Sequence, residues 1–233
     1  FDNQSSDIIV SFGERMSTRI LASYFNKENL KAKQHDAYDI GFVTNDNFGN
    51  AEILEETYRN IKSKLDISPI PVVTGFIAKN EKDDITTLGR GGSDYTAAII
   101  GAAIGAKEIQ IWTDVSGIMS ADPKIVDNAK TIEELSFDEA SELAYFGARV
   151  LHPKTILPAV EKNIPVLVLN TLEPDNKGSR IVKESTKVNG VVKAISSKKG
   201  ITIIDVKSSR MINAHGYLAK IFEIFEKYSK PVD

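Results

Sequence analysis

Short apolar runs alternate with segments of helical period along most of this chain, and that alternation restricts it to folds in which helices cover a sheet. Residues 7–12 read as a buried strand, and residues 15–25 set Met16, Ile20, Leu21 and Tyr24 on one side of a helix. Residues 38–43 read as a second strand, 51–65 as an amphipathic helix bearing Ile53, Leu54, Tyr58, Ile61 and Leu65, and 70–78 as a third strand. A helix over 95–105, a strand over 108–112, helices over 137–146 and 154–162 and a strand over 164–170 complete the series. The expected class is therefore α/β, a largely parallel open sheet sandwiched by helices. Ligand sites in such sheets lie at the carboxyl ends of the strands.

The texture changes in the turn-rich stretch 173–179 and again in the polar stretch 183–189, which reads as a linker. Beyond it, residues 191–196 and 201–206 read as strands, and 216–228 as a helix with Leu218, Ile221, Phe222 and Phe225 on one face. Pro231-Val232-Asp233 leads toward a further strand. The expected layout is one domain over 1–186 and the start of a small α+β domain over 187–233, too short to be stable alone and expected to lean on a partner.

Composition narrows the function. The 233 residues are 42% hydrophobic and 26% charged, ordinary for a soluble globular chain, and the net charge of -3 gives no electrostatic reason to expect nucleic acid or an anionic membrane as partner. There is no Cys, and the three His residues (His35, His152, His215) lie far apart, so disulfides and thiolate zinc sites are excluded. That composition suits a reducing compartment. No apolar run approaches the roughly 20 residues a membrane helix needs. Phe1 is not an initiator Met and no basic signal-peptide start follows it, so the chain reads as clipped at its front.

Four clusters carry potential chemistry. In Thr86-Thr87-Leu88-Gly89-Arg90-Gly91-Gly92-Ser93-Asp94 the glycines permit unusual backbone angles and Ser93 is placed to cap a helix. First-turn N–H groups would then face a carboxylate or phosphate that Arg90 can grip in bidentate fashion; a flexible surface loop is the plain alternative. Thr113 and Asp114, at a strand end before Gly117, with Asp122-Pro123-Lys124 beyond, suit a ribose or base edge and equally two ordinary turns. Arg149, in Gly147-Ala148-Arg149-Val150-Leu151-His152-Pro153, suits phosphate charge or a solvated surface; His152 is assigned packing, not catalysis. Glu14 suits a substrate ammonium, and also a helix first turn where the dipole favours an acid. Neither a Walker-type loop nor a well-placed G-x-G-x-x-G is present.

Taken in order, these clusters resemble the aspartate kinases of the amino-acid kinase superfamily. The resemblance rests on residues 11–15, Gly75-Phe76-Ile77-Ala78, 86–94, 112–117 with Asp122-Pro123, 135–153 and 178–182, and spans nearly the whole chain. It implies transfer of the ATP γ-phosphoryl to the side-chain carboxylate of L-aspartate, the first committed step toward lysine, threonine and methionine. It further implies that Arg90 clamps the aspartate α-carboxylate with Glu14, Thr87 and Ser93 completing that site, and that Asp94 organises the catalytic cations. Thr113, Asp114, Met119 and Lys124 would hold ATP, Arg149 and Val150 its phosphate end, and Mg²⁺ would enter on the nucleotide rather than in a resident metal site.

By the same resemblance the end of the chain is the start of an ACT regulatory region. Met211, Gly216, Tyr217, Leu218 and Asp233 would contact an inhibitory amino acid, lysine or threonine, and paired ACT regions imply a homo-oligomer. A cytoplasmic or plastid location is expected. Three departures stand out. The family's opening Lys-Phe-Gly-Gly strand, whose lysine contacts the transferred phosphoryl, has no counterpart after Phe1, and is expected ahead of it; Arg149 is often Lys, and an aromatic residue often stands at Met119. The competing readings are a catalytically silent amino-acid-binding subunit and a kinase of another small carboxylate.

Overall fold

The structure is a computed structural model, and it describes residues 2–145, 151–185, 192–197, 200, 202, 204–206 and 216–228. Two compact units result, residues 1–197 and 198–233.

The first unit opens with α1 (Asn3–Lys27), whose N-terminus is capped by Asp2 accepting the Ser5 N–H at 2.7 Å. The expected strand over 7–12 is thus overturned. The run Ile8-Ile9-Val10 is apolar, but the buried positions are Asp7, Ser11, Thr18 and Ala22, a small and polar stripe at helical spacing. Asn29, at φ 64, ends the helix in the left-handed conformation.

Strand β1 (Ala32–His35) follows, then β2 (Val43–Thr44), α2 (Glu56–Lys64), β3 (Ile70–Val73), β4 (Ile77–Asn80) and β5 (Ile85–Thr87). The expected strand over 38–43 is corrected: residues 37–41 form turns tied by Asp39 N–H to Asp36 and Phe42 N–H to Ala37, and only Val43 reaches a strand. The run 70–78 splits into β3 and β4 around Thr74-Gly75-Phe76, with Phe76 at φ 65. β1 pairs with β3 in parallel, β2 with β4 in parallel, and β4 with β5 in antiparallel register. α2 begins only at Glu56, and carries Lys62 and Lys64 at its C-terminal end, where the helix dipole favours them.

Helix α3 (Gly92–Ile104) leads to β6 (Ile109–Thr113), β7 (Glu134–Ser136), α4 (Phe137–Tyr145), a 3-10 turn (Pro153–Ile156), α5 (Leu157–Glu161), β8 (Val166–Asn170) and β9 (Ser179–Val182). Their sheet runs β6-β8-β9-β7, parallel at β6/β8 and β9/β7 and antiparallel at β8/β9.

Two apolar cores flank α3. Ala98 joins the core of Ile109, Ile111, Leu135, Val166, Val168 and Ile181, whereas Ile99 joins that of Ala37, Ile40, Phe42, Ile61 and Leu88. The helix stays thin to fit between them: a Cβ on Gly101 would lie 2.7 Å from the Ile109 Cδ1 atom.

In the second unit, α6 (Tyr217–Lys227) matches the expected helix. The strands expected over 191–196 and 201–206 are absent among the described residues. Arg149, Val150, Met211 and Asp233 lie outside the described residues.

Candidate active site

The glycine loop after β5 has the shape its sequence demands. Gly89 and Gly91 both take φ 71, closed to most side chains, and each abuts a neighbour: a Cβ on Gly89 would lie 2.5 Å from Asn50 Oδ1, and one on Gly91 2.7 Å from Thr155 Cγ2. Gly91, not Ser93, is the residue that begins α3, and it provides no side-chain cap. Ser93 is the second residue inside the helix, a correction to its expected capping role. Gly92 N–H is spent on Gly89 and Tyr95 N–H on Gly91. The N–H groups of Ser93 and Asp94 are left without a backbone partner among the described residues, as an anion cradle at a helix start requires.

Around this loop the structure gathers five of the expected residues, Glu14, Thr87, Arg90, Ser93 and Asp94. Arg90 is exposed, and its guanidinium makes no hydrogen bond or ion pair among the described residues. Glu14, half-buried on α1, faces the Gly75 backbone N–H; burial raises its carboxyl pKa and the nearby N–H opposes the rise. Gly75 in turn stands against Ser93, since a Cβ there would lie 2.9 Å from the Ser93 Cα, Cβ and Oγ atoms. Thr87 is buried at the end of β5, and its hydroxyl donates to Asp7 Oδ1 at 2.8 Å. Asp94, half-buried in the first turn of α3, has its pKa raised by burial, with no basic neighbour among the described residues to offset it.

The second group sits at the carboxyl ends of the parallel strands β6 and β8. Thr113 is in register with Asn170, and its hydroxyl donates to Asp114 at 3.1 Å. Asn170 donates to Ser116 at 2.8 Å, and Ser116 to Glu173 at 2.9 Å, so the strand ends carry a continuous polar rim. Met119 follows in a segment braced by Thr131, whose hydroxyl approaches the Met119 sulfur at 3.5 Å, and the Lys124 side chain is exposed. Gly117, at φ 104, lets the chain pass within contact of Ser179 Oγ. That hydroxyl accepts the Ile118 N–H and donates to the Ile132 carbonyl.

The Gly91 turn also places His152 beside the loop, with its Cβ 3.5 Å from a Cβ built on Gly91. Sequence reasoning missed Asp7, Asn170 and Ser116. Asp7 carried a readable signal, the Asp7, Ser11, Thr18, Ala22 periodicity, hidden by the stronger apolar run beside it.

Residues 2–170 match the model of the amino acid kinase family. The chain is 48% identical over 236 residues to the chloroplastic aspartokinase 3 of Arabidopsis thaliana, covering 99% of this chain and 42% of that protein. It is 38% identical to the lysine-sensitive aspartokinase 3 of Escherichia coli, covering 98% and 51%. The crystal structure of E. coli aspartokinase III with aspartate and ADP superposes with a TM-score of 0.81 at 34% identity, covering all of this chain and 52% of that one. The chain therefore spans about half the length of the relatives it matches. By the family match over most of its length, and by the fold that carries it, this chain belongs to the amino acid kinase family.

Proposed function

We propose that the protein is an aspartate kinase, transferring the γ-phosphoryl of ATP to the side-chain carboxylate of L-aspartate and releasing 4-phospho-L-aspartate and ADP. One observation carries the reading: a single glycine loop joins Arg90, whose guanidinium has no partner among the described residues, to a half-buried carboxylate, Glu14, through the Gly75–Ser93 contact. An amino acid offers the complementary charges. Arg90 and the free N–H groups at the start of α3 suit its α-carboxylate, and Glu14 with the Thr87 oxygen suits its ammonium. The names of the two sequence relatives, and the aspartate and ADP held by the solved neighbour, support it.

The side-chain carboxylate of aspartate is ionised near neutral pH and needs no base to become a nucleophile. One of its oxygens attacks the γ-phosphorus, the bond from that phosphorus to the β,γ-bridging oxygen breaks, and ADP leaves with the electron pair. The protein's task is to hold two anions together and to offset their charge. Mg²⁺ carried in on ATP would neutralise the phosphates, and Asp94, buried in part with no cation beside it among the described residues, is the carboxylate that fits it. Thr113, Asp114, Met119 and Lys124 are assigned to the nucleotide.

Residues 187–233 are assigned to the start of a regulatory ACT domain whose effector is an amino acid, lysine or threonine, and which pairs between copies. The lysine sensitivity in the name of the E. coli relative supports the assignment. In this unit Gly216, at φ 73, starts α6, and Tyr217 and Leu218 are its first residues. The test is ADP release by the complete protein with ATP and Mg²⁺. Release should depend on added L-aspartate and fall with lysine or threonine; release indifferent to aspartate sinks the substrate.

A further inference from the structure

We propose that Asp7 is a positioning residue of the amino-acid site, setting Thr87 as a hydrogen-bond acceptor toward the ligand and locking two loops at a fixed spacing from Glu14. The inference rests on the aspartate kinase reading for the identity of the ligand. Asp7 lies in the first third of α1 with only 2% of its surface exposed, and a carboxylate is almost never buried to that degree without partners. Its partners are all donors: Thr87 Oγ1 to Oδ1 at 2.8 Å, Thr87 N–H to Oδ2 at 2.9 Å, and Gly49 N–H to Oδ2 at 2.9 Å.

The chemistry of Thr87 follows. A hydroxyl has one proton, and here it is committed to Asp7, so toward any ligand the oxygen can only accept. An acceptor suits an ammonium and repels a carboxylate, which makes Thr87 a reader of the amino group. The second bond, to Gly49, draws the 45–50 loop against the same point, where Ala51 N–H also donates to the Thr87 carbonyl at 2.8 Å and Gly89 abuts Asn50.

Spacing supplies the third element. Asp7 and Glu14 are seven residues apart, hence on the same face of α1 and about 10 Å apart along its axis. Asp7 holds Thr87 by hydrogen bonds, on the strand side of the glycine loop, and Glu14 faces Gly75, which packs on Ser93 on its helix side. The rigid helix thereby fixes the span across which an amino acid is held.

The test is steady-state kinetics of the complete protein with Asp7→Asn, Thr87→Val and the double variant, each checked for a cooperative unfolding transition. The Asn amide turns one acceptor into a donor facing donors. Asp7→Asn should raise the aspartate KM about tenfold and leave the ATP KM within about twofold, a split that general loosening of the fold would not give. The double variant should cost less than the product of the single effects, because both remove the same oriented hydroxyl. If Asp7→Asn does not fold, Thr87→Val, which leaves the carboxylate and both backbone bonds in place, should by itself raise the aspartate KM about tenfold. An unchanged aspartate KM in both folded variants, equal shifts of both KM values, or multiplicative effects overturn the assignment alone. No turnover of aspartate by the unaltered protein overturns the kinase reading and this assignment with it.

Discussion

The Arg19 guanidinium grips the Asp36 carboxylate through two parallel bonds, Nη1 to Oδ1 at 3.1 Å and Nη2 to Oδ2 at 2.9 Å, and so fastens α1 to the end of β1. Tyr38 Oη and Gln34 Nε2 donate to the same carboxylate at 2.8 Å each, and Arg15 Nε stands 3.7 Å away. Asp36 is 4% exposed. Burial by itself would raise its pKa, but the bonds from Arg19, Tyr38 and Gln34 outweigh burial and hold the carboxyl below its ordinary value. Burial together with the Asp36 carboxylate pushes Tyr38 up to about 12.

A depressed folded pKa contributes stability that is present above the unfolded value, about 3.9, and is lost as pH falls through the folded value. Chemical denaturation followed between pH 7 and pH 2 should show unfolding free energy declining below about pH 4, with a shallower decline in Asp36→Asn. At pH 7, Asp36→Ala should cost about 3 kcal/mol, the lower end for a broken buried pair, because Arg19 itself is half exposed. A cost within the error of a surface substitution would remove Asp36 as the fastening point.

Glu14 shows the opposite shift. Burial raises its pKa above the ordinary 4.5, so it is protonated in the folded protein at a pH where a free carboxyl has ionised. Only the ionised form holds an ammonium. The aspartate KM should rise as pH is lowered through the raised value, while the ATP KM stays level. Glu14→Gln should raise the aspartate KM at neutral pH and abolish that acid limb; an acid limb that persists in Glu14→Gln would assign it to another group.

Two glycines in similar sequence settings should behave in opposite ways. A Cβ on Gly75 meets the Ser93 backbone and side chain at 2.9 Å, so Gly75→Ala must shift the start of α3, at a cost of roughly 1–3 kcal/mol and a raised aspartate KM. Gly13, inside α1, has nothing within 4 Å of a built Cβ. Gly13→Ala should stabilise by about 0.5–1 kcal/mol with unchanged kinetics, through helix propensity alone. Thermal unfolding and initial rates of the two variants check both statements.

Asp94 separates catalysis from binding. Asp94→Asn keeps the volume and removes the charge assigned to the metal on the phosphates. It should lower kcat by on the order of a hundredfold with the aspartate KM little changed. A selective rise in the aspartate KM would instead make Asp94 a substrate contact.

The elements that the sequence made legible are those whose period and burial agree. β6 alternates buried Ile109 and Ile111 with exposed Gln110 and Trp112, β8 is an apolar run largely buried in the sheet, and α3 is a small-residue segment bounded by glycines at both ends. The glycine loop was legible too, because Gly89 and Gly91 are needed by both backbone angle and close approach. Reading failed where apolar residues do not mark the buried side. In α1 the buried face is Asp7, Ser11, Thr18 and Ala22, whereas Ile9, Phe12, Met16 and Ile20 are exposed. Residues 37–42 are folded by turns next to Asp36, with Ala37, Ile40 and Phe42 buried and Asp39 exposed. The helical spacing of Asp7 with Ser11, Thr18 and Ala22 marks it as facing inward, but its role lies in partners 42 and 80 residues away, Gly49 and Thr87, which local pattern does not report.

The most direct measurement is trapping of the acyl phosphate as its hydroxamate by the complete protein supplied with ATP, Mg²⁺ and L-aspartate, run beside N-acetylglutamate as acceptor and repeated with Arg90→Ala. Aspartyl hydroxamate should form with L-aspartate alone, and Arg90→Ala should require a much higher aspartate concentration, since the α-carboxylate grip is lost in ground and transition states alike. Hydroxamate from N-acetylglutamate but not from aspartate, or aspartate kinetics untouched by Arg90→Ala, would contradict the assignment of this loop to aspartate.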